Sequence, residues 1–570
     1  MPVFSFAARG LLAGASLALI AGAAVAQTNA PAPAPAPAPL TPAQVNAIVD
    51  APLPPDQAAM KAHVMFLASD ALNGRDAASG DFAVAAQYVA AQFYAAGLRP
   101  AGDDGGYLQH VPLVQYRAAD PGSFALVHGK TNEALAFGTD YIPSANPAAR
   151  DTQVTAPVVF VGQGIVAPEN GIDDYAGVDA RGKIVVLFGG APTTLNSEIR
   201  AHFGGLAAKA AVAGAHGAVG VIQLESSAKP GRSTPSFAQL KLGYARPRTI
   251  WATPDGVGGS VPGSAPVLGV LSQAGAAKLF AGARVPWAKL AKLSATDNPR
   301  YRAEPLKAKL AVATHTSFDA QSSSNVAGII PGSDPKLASE VVVLSAHLDH
   351  IGVNKNAKGD QINNGAEDDA VGIASLIEEA KRFKQSGKPP RRTVLFLAVT
   401  AEEKGLVGSD YYARHPTLGS DKIVSDVNLD MPILTYKFED IVAFGADRST
   451  LGPIVKAAAA AAGVPTSPDP IPEEAIFVRS DHYRFVQQGV PSVFLWPGQM
   501  GPGKAATEDF LAHHYHQPSD DLTLPIDWSQ GVRFVDVNYR IARAIADGDD
   551  RPRWNKGDFF GKLYHGYGAE

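Results

Sequence analysis

The sequence predicts an α/β fold in which a mostly parallel, mixed sheet is flanked by helices. Two continuous apolar runs, 341–344 and 393–399, have the character of strands buried on both faces. Between them, apolar side chains recur with helical spacing: Val371, Ala374, Ile377, Ala380 and Phe383. Two further candidate strands follow at 423–429 and 491–496. A strand, a helix and a second strand at this spacing imply parallel pairing, with functional sites outside the carboxyl ends of the strands.

Composition narrows the classes of protein that this chain can represent. At 570 residues and 59.2 kDa it is too long for one compact domain, and length alone favours about three or four. A net charge of -5 and a pI of about 6.3 provide no field that attracts nucleic acid or anionic lipid. The absence of cysteine excludes disulfides, thiol nucleophiles and thiolate metal sites, so any metal must bind to His, Asp or Glu.

The first 26 residues have the features of a secretory signal peptide. Arg9 is their single basic residue, 11–23 are apolar, and 24–26 (Ala-Val-Ala) supply small side chains before a cleavage point. The apolar stretch is shorter than the roughly 20 residues that span a bilayer, which disfavours a membrane anchor. An Ala/Pro-rich linker follows over 27–50. We therefore expect export to the periplasm or the extracellular space, with no membrane span after cleavage.

Helical and β-rich sequence patterns occupy different parts of the next 250 residues. Residues 60–98 carry apolar side chains at helical spacing in two blocks, separated by Gly74 and Arg75. Short β-rich runs at 157–166 and 182–187, a small-residue helix at 209–217 and a strand at 218–224 indicate a separate α/β module. The predicted domains, in chain order, are a catalytic domain in two pieces, 51–140 and 301–548, an insertion of 141–300 between them, and a C-terminal tail of 549–570.

Residues able to bind metal stand at the ends of the predicted elements. They are His347 and Asp349 after the first strand, the acids 367–369 at the helix start, Glu402 and Glu403 after the second strand, and Asp430 after the third. So many like charges at one edge of a sheet would repel each other unless a cation neutralised them. Oxygen and imidazole ligands favour zinc, with Mn²⁺ or Co²⁺ as alternatives, and a two-metal site. Spacing alone leaves the histidines of 513–516 equally compatible with a ligand role and with a solvated loop.

In chain order, six short motifs resemble those of the co-catalytic dizinc exopeptidases. They are AHLDH (346–350), GAEDDAVG (365–372), TAEEKGLVGS (400–409), NLDM (428–431), RSDHYRF (479–485) and YHQPSDD (515–521). This family includes bacterial secreted aminopeptidases, glutamate carboxypeptidases and the metal-free transferrin receptors, and the resemblance covers about 60–135 and 300–545. It implies the zinc exopeptidase fold, similar to that of phosphorylases and hydrolases.

The resemblance also implies a set of ligands for two Zn²⁺ ions. Asp368 would bridge both ions, one of which would also bind His347 and Asp430, and the other Glu403 and His516. These five residues use imidazole and carboxylate groups alone, as a chain without cysteine requires.

Other residues of the motifs receive roles outside the ligand set. Glu402 matches the general base of the family, and Asp349 would orient His347. Asp481 resembles a polar wall of the substrate pocket, and Arg479 could hold a substrate carboxylate or form a structural ion pair. We expect His350 and His482 to be supporting or packing residues.

The insertion resembles a protease-associated domain through DDYAGVD (173–179) followed by GKIVV (182–186). In such exopeptidases this domain shields or lines the substrate cleft, although a purely stabilising role is as compatible with the sequence.

These features predict an exported metallo-aminopeptidase whose partner is a peptide substrate, with no nucleic acid and with the oligomeric state undetermined. Alternatives are a carboxypeptidase or dipeptidase on the same site, a glutaminyl cyclase, and a non-catalytic receptor-like protein. The last two are disfavoured because the motifs retain the full set of two-metal ligands.

Overall fold

A computed structural model describes residues 41–227, 236–259, 263–419 and 422–570. The predicted signal peptide and residues 27–40 of the predicted linker lie outside the described residues. The described remainder of that linker contains a helix. Within the described residues, no helix is both long and apolar enough to cross a membrane.

The helices fall into three groups along the chain. The N-terminal helices are α1 (Pro42–Val49), α2 (Pro55–Leu67) and α3 (Gly80–Ala95). The middle helices are α4 (Ser197–Gly204), α5 (Leu206–Ala215), α6 (Phe237–Gly243), α7 (Gln273–Leu279) and α8 (Trp287–Ser294). The C-terminal helices are α9 (Val371–Gln385), α10 (Val407–Arg414), α11 (Leu451–Ala461), α12 (His482–Val486), α13 (Gly503–His513), α14 (Trp528–Asp547) and α15 (Phe559–Leu563).

The strands fall into two groups in the same way. Those of the first 300 residues are β1 (Arg99–Pro100), β2 (Leu108–Ala118), β3 (Ser123–His128), β4 (Thr131–Ala134), β5 (Tyr141–Pro143), β6 (Asp151–Phe160), β7 (Val166–Ala167), β8 (Ile172–Asp173), β9 (Ile184–Phe188), β10 (Gly220–Leu224), β11 (Arg248–Trp251) and β12 (Val267–Leu271). Those that follow are β13 (Glu304–Ile330), β14 (Val341–His347), β15 (Thr393–Val399), β16 (Ile423–Asn428), β17 (Ile441–Phe444), β18 (Thr466–Ser467) and β19 (Ser492–Pro497).

The sheet that carries the predicted site has a parallel centre. Strands β15, β14, β16 and β19 lie side by side in that order, all parallel. Antiparallel strands flank them, β13 beside β15 and β17 beside β19. The mostly parallel sheet and the helix α9 that joins β14 to β15 confirm the predicted fold class.

Both faces of this sheet are covered, which explains the continuous apolar runs. In β14, Val342 and Leu344 join the core beneath helices α2, α9 and α14. Val341 and Val343 point the other way, into the core beneath α10 and α12. Because side chains alternate along a strand, a strand buried on both faces carries apolar residues at consecutive positions.

The long strand β13 joins this sheet to a second one. Its carboxyl-terminal part pairs with β15, and its amino-terminal part pairs with β3 on one side and β6 on the other. The second sheet continues from β6 through the parallel strands β9, β10 and β12. It includes strands before residue 141 and part of β13 after residue 300, so it extends beyond the predicted insertion on both sides.

One predicted strand ends earlier in the chain than expected. The run 157–166 was expected to be extended throughout, but β6 ends at Phe160. Gly162 and Gly164 have φ values of 62° and 69°, a left-handed conformation that turns the chain out of the sheet. The strand prediction was therefore wrong for 161–165.

Helix α4 attaches the middle of the chain to the C-terminal region. Arg200 forms an ion pair of 2.8 Å with Glu473, and a ring nitrogen of His202 lies 3.2 Å from the hydroxyl of Tyr483. The ring of Phe203 packs edge-on against that of Phe559, with centroids 5.6 Å apart. These contacts place the middle region against the segment that leads into α12.

Candidate metal centre

The five residues implied as metal ligands lie together at the carboxyl edge of the parallel strands. His347 ends β14, Asp368 lies in the turn Ala366–Ala370 before α9, Glu403 follows β15, Asp430 follows β16, and His516 follows α13. Segments far apart in sequence converge here because parallel strands all end at the same edge.

Two histidines define two groups of ligand atoms. His347 Nε2 lies 3.1 Å from Asp368 Oδ1 and 3.3 Å from Asp430 Oδ1. His516 Nε2 lies 3.4 Å from Asp368 Oδ2 and 3.2 Å from Glu403 Oε2. The two oxygens of Asp368 therefore face different histidines, as a carboxylate between two metal ions must.

The chemistry of these groups fits divalent cations. Oδ2 of Asp368 and Oε1 of Glu403 are buried, and the polar groups near them in the described chain are the imidazoles of His516 and His350. Burial lowers the pKa of His516, but the carboxylates of Asp368 and Glu403 outweigh this effect and raise it to about 10. A positive charge is thus favoured between these carboxylates, and a metal ion would supply it in place of a proton.

Asp369 is also close to His347 and Asp430, but its oxygens are already used. Oδ1 accepts hydrogen bonds from the main-chain N–H groups of Gly372 (3.1 Å) and Met431 (2.8 Å). Oδ2 accepts a bond of 3.1 Å from the N–H of His347. Asp369 therefore ties the end of β14 to the start of α9 and to the loop after β16, which leaves Asp368 as the free carboxylate of the pair.

His350 occupies the opposite side of the second group. Its Nδ1 lies 2.9 Å from Glu403 Oε1 and 3.8 Å from Asp368 Oδ2, and the ring is fully buried. Its ring contacts that of His516 edge-on, with centroids 5.7 Å apart. His350 is thus a direct neighbour of both acids, and the prediction of a supporting role is compatible with this position.

Asp349 holds His347 differently from what we expected. The ring Nδ1 of His347 donates to the main-chain carbonyl of Asp349 at 3.0 Å, not to its carboxylate. The chain leaves the sheet after His347, and the main-chain N–H of His350 donates to the carbonyl of Arg75 and not to a neighbouring strand. Side chains two residues apart therefore no longer share one face. A carbonyl can only accept, so the proton sits on Nδ1 and Nε2 is free to bind metal.

The carboxylate of Asp349 instead supports the loop after β15. It accepts hydrogen bonds from the main-chain N–H groups of Glu402 at 3.0 Å and Glu403 at 3.3 Å. Burial raises the pKa of Asp349 to about 7, although His347 opposes the shift.

Glu402 differs from Glu403 in its freedom. Among the described residues no hydrogen bond or ion pair engages the Glu402 side chain, which is partly exposed. Burial raises its pKa well above the ordinary value; His347 opposes this, while Glu403 and Asp430 reinforce it. A carboxylate with a raised pKa beside the ligand groups is suited to accept and return a proton.

Asp430 is held by a hydrogen-bonded chain beneath the site. Ser480 Oγ donates to Asp430 Oδ2 at 2.5 Å and accepts from Asn428 Nδ2 at 2.7 Å. The indole N–H of Trp496 donates to the Asp430 carbonyl at 2.8 Å. Ser480 belongs to the motif RSDHYRF (479–485), but the spacing of that motif does not predict its hydrogen bond to Asp430.

The two predicted substrate-binding residues have protein partners. Arg479 Nη1 forms an ion pair of 2.8 Å with Glu474. Asp481 is fully buried and accepts a bond of 2.5 Å from Ser409 Oγ, so it lies beneath the site rather than on its exposed wall. Burial raises the pKa of Asp481 to about 6.

Sequence reasoning missed two residues of the final motif, although both lie in YHQPSDD. The ring of Tyr515 stacks on that of His516, with centroids 3.9 Å apart. Burial raises the pKa of Tyr515 well above its ordinary value, and Asp368 and Glu403 add to the shift. Asp520 accepts hydrogen bonds from the main-chain N–H groups of Glu367 (2.8 Å) and Asp368 (3.1 Å).

Part of the chain is similar in sequence to known proteins. Residues 325–542 match the profile of Peptidase family M28. Leupeptin-inactivating enzyme 1 of Streptomyces exfoliatus is 31% identical over 172 residues, which are 30% of this chain and 34% of the relative. A probable zinc metalloprotease of Pyricularia oryzae is 34% identical over 121 residues, 21% of this chain and 23% of the relative. The match thus spans about a third or less of each relative's length.

Solved structures of similar arrangement include two bacterial aminopeptidases. The aminopeptidase from Aneurinibacillus sp. strain AM-1 is 21% identical, with a TM-score of 0.45, over 88% of this chain and 96% of that protein. A zinc aminopeptidase from Bacillus subtilis is 19% identical, with a TM-score of 0.38, over 86% of this chain and 95% of that protein. The part of the chain that matches Peptidase family M28, residues 325–542, includes all five candidate ligands.

Proposed function

We propose that the protein is an exported, zinc-dependent exopeptidase that removes N-terminal residues from peptides. The observation that carries the proposal is the position of Asp368, whose two oxygens face His347 and His516. A single bridging carboxylate between two groups of ligands is the arrangement that a two-metal hydrolase requires.

Two zinc ions are the proposed cofactors. His347 and Asp430 would hold one, Glu403 and His516 the other, and Asp368 both. When bound, zinc supplies Lewis acidity toward the scissile carbonyl and the attacking water.

The protein side chains then carry out the proton transfers. A carboxylate oxygen of Glu402 takes a proton from the attacking water and delivers it to the nitrogen of the leaving amine. The main-chain bonds from Glu402 and Glu403 to Asp349 hold the two carboxylates in different positions on one loop. Glu403 can thus remain a ligand while Glu402 exchanges protons.

An aminopeptidase is favoured over a carboxypeptidase by the state of Arg479. A carboxypeptidase needs a cation for the C-terminal carboxylate of its substrate, and Glu474 already pairs with this arginine.

The remaining parts of the proposal concern the chain around the site. We assign the insertion to the protease-associated class of domains, where it would border the substrate cleft. Helix α4 supports this assignment because its Arg200 and His202 contact Glu473 and Tyr483, which lie on either side of Ser480 and Asp481 in the sequence. Residues 1–26 would direct export and then be removed.

The test compares aminoacyl p-nitroanilides, dipeptides and their N-acetylated forms, with and without chelator. We expect hydrolysis of the free-amine substrates alone, loss of activity with chelator, recovery with zinc, and two zinc ions per chain. Hydrolysis of N-acetylated dipeptides would instead identify a carboxypeptidase.

Substitution of the proposed base provides the second part of the test. We expect Glu402→Gln to lower kcat by about 10²–10⁴-fold while retaining zinc. The exposed Glu133 of β4 serves as the control, and Glu133→Gln should have unchanged kinetics. Near wild-type turnover by zinc-loaded Glu402→Gln would exclude the assignment of Glu402.

A further inference from the structure

The metal centre is in contact with a fully buried arginine from outside the matched domain. Arg75 lies between α2 and α3, about 250 residues before the start of the match at residue 325. Its φ of 37° is in the left-handed region, and its side chain is completely enclosed. An enclosed cation requires a specific set of partners, because burial of a charge is otherwise very costly.

Among the described residues, every hydrogen-bond partner of this guanidinium is a main-chain carbonyl of the centre or of α2. Nε donates to Leu348 at 2.8 Å, Nη1 to Leu67 at 3.0 Å and to Asn364, and Nη2 to Gly365 at 2.8 Å and Asp368 at 3.3 Å. Three of these carbonyls belong to the loop that ends in the bridging carboxylate. The arginine therefore fixes the backbone of that loop from one side.

Asp520 fixes the same loop from the other side. It accepts hydrogen bonds from the main-chain N–H groups of Glu367 and Asp368, while Arg75 donates to main-chain carbonyls of the same segment. With both N–H and carbonyl groups engaged, the segment 364–368 has little freedom to rotate. The carboxylate of Asp368 thereby stays between His347 and His516.

The charge of Arg75 acts on the same residues. Asp368, Asp520, Asp369 and Asp349 all interact electrostatically with it. These carboxylates are buried close together, and a permanent cation among them reduces their mutual repulsion before any metal arrives.

The neighbouring residues bring the arginine to this place. Gly74 approaches Gly352 so closely that a Cβ at this position would lie 2.9 Å from the Gly352 Cα, and it would also overlap the carbonyl of Asn363. Asp76 pairs with Lys404 at 2.5 Å, directly after Glu403. The segment 74–76 is thus built into the loops of the centre.

We propose that Arg75 is a positioning residue of the metal centre, which holds the loop 364–368 so that Asp368 can bridge two metal ions. The inference rests on the proposed two-metal function and extends it to a residue outside the matched domain. It predicts that the matched region alone does not form a competent centre.

The experiment measures zinc binding by the full-length protein, by metal analysis and by competition with a chromogenic chelator. Arg75→Lys keeps the charge but cannot reproduce the five-bond fork, because an ammonium has only three donors. We expect a loss of zinc affinity of about 10–100-fold, the range typical for residues that orient ligands. Asp520→Asn, which replaces one acceptor oxygen with a donor, should weaken zinc binding in the same way.

The control is Arg392→Lys. Arg392 is also fully buried and donates to the carbonyls of Ile545 and Gly548, away from the metal centre. It should lower the unfolding midpoint without changing zinc affinity. Wild-type zinc affinity in folded Arg75→Lys and Asp520→Asn would overturn the proposal, and so would an equal loss of zinc affinity in Arg392→Lys. The proposal would also be overturned if both test variants failed to fold while Arg392→Lys folded. A wild-type protein that binds no zinc would instead refute the proposed function.

Discussion

The carboxylate of Asp349 accepts the main-chain N–H of Glu402 at 3.0 Å, which joins the loop after β14 to the loop after β15. This carboxylate also accepts a hydrogen bond from the main-chain N–H of Glu403. The main-chain carbonyl of Asp349 accepts one from His347 Nδ1. One residue thus sets the position of the proposed base and of a proposed ligand in each metal group. Its importance arises from its bonds to the main chain and not from contact with metal.

We expect Asp349→Asn to lower kcat by about 10–100-fold, because the new amide group opposes one of the two N–H donors. His347 should keep its partner, since the carbonyl of residue 349 is unchanged. Steady-state kinetics at saturating zinc test this expectation. Asp360→Asn is the control, because Asp360 also accepts a main-chain N–H, that of Ile362, but is exposed. Equal kinetics for the two variants would argue against the positioning role.

Ser480 supports the other side of the first metal group. Its hydroxyl bonds to Asp430 Oδ2 and accepts from Asn428, so Ser480→Ala removes one partner from each. We expect one of the two zinc ions to bind about tenfold more weakly, while the other retains its affinity. Stepwise zinc titration of the metal-free protein would resolve the two events.

Ser409→Ala provides the comparison for that titration. Ser409 is equally buried, but its hydroxyl bonds to Asp481, which is not a proposed ligand. It should leave both zinc affinities unchanged. A uniform loss at both sites in Ser480→Ala would show that the serine acts on general stability and not on Asp430.

The strands and the helix that carry the candidate metal centre were predictable because buried elements have characteristic local patterns of apolar residues. The strands β14 and β15 are buried at every position and largely apolar, and α9 repeats apolar residues on one face. Metal-binding residue types stand at the ends of such elements, but spacing alone left His516 open, and the resemblance of six motifs implied the five candidate ligands. Their assignment to two groups came from the resemblance of six motifs, and the positions of Asp368 and His516 agree with it.

What was missed depends on contacts between distant segments. Arg75 and Gly365 are separated by 290 positions, and no local pattern connects them. The carboxylate of Asp349 was expected to face His347 because the side-chain alternation of a strand was extended beyond its last residue, His347; the main-chain carbonyl of Asp349 makes the contact instead. Likewise, the strand at 157–166 was overextended because the apolar pattern outweighed Gly162 and Gly164.

The contact of α4 with the C-terminal region is expected to depend on pH through His202. Burial lowers the pKa of this imidazole from about 6.5 to about 4, and its neighbours include Tyr483 and Phe559. In this range the unfolded chain binds a proton that the folded protein excludes. Stability therefore falls as the pH decreases from about 6.5 to about 4, by up to about 3 kcal/mol, and this contribution stays constant above 6.5.

His202→Phe should remove this part of the pH dependence. Urea unfolding of wild type and variant at pH 8 gives the packing effect alone, since the imidazole is neutral in both states there. We expect the difference in unfolding free energy to shift in favour of the variant as the pH falls to 4. A difference that stays constant between pH 8 and pH 4 would contradict the buried, neutral state of His202.

Arg448 is the charged centre of the same contact. It pairs with Glu198 of α4 and, at 2.9 Å, with Asp558 before α15, and its guanidinium lies over the rings of Phe477 and Phe560. Arg448→Met would leave two largely buried carboxylates without their partner. We expect a loss of about 3–5 kcal/mol in the free energy of unfolding, the range for breaking a buried pair. Because Phe477 precedes Ser480 by three residues, KM should also change.

The comparison for this variant is Arg391→Met. Arg391 also pairs with two acids, Asp334 and Asp549, but more of its side chain is exposed, and exposed ion pairs contribute about 0–1 kcal/mol. We therefore expect Arg391→Met to be less destabilising and to leave KM unchanged. Limited proteolysis adds a local measurement, since loss of the Arg448 contacts should expose the chain around α4 before the sheet of β14 and β15 unfolds. Equal destabilisation and equal KM in the two variants would mean that Arg448 does not connect helix α4 to the site.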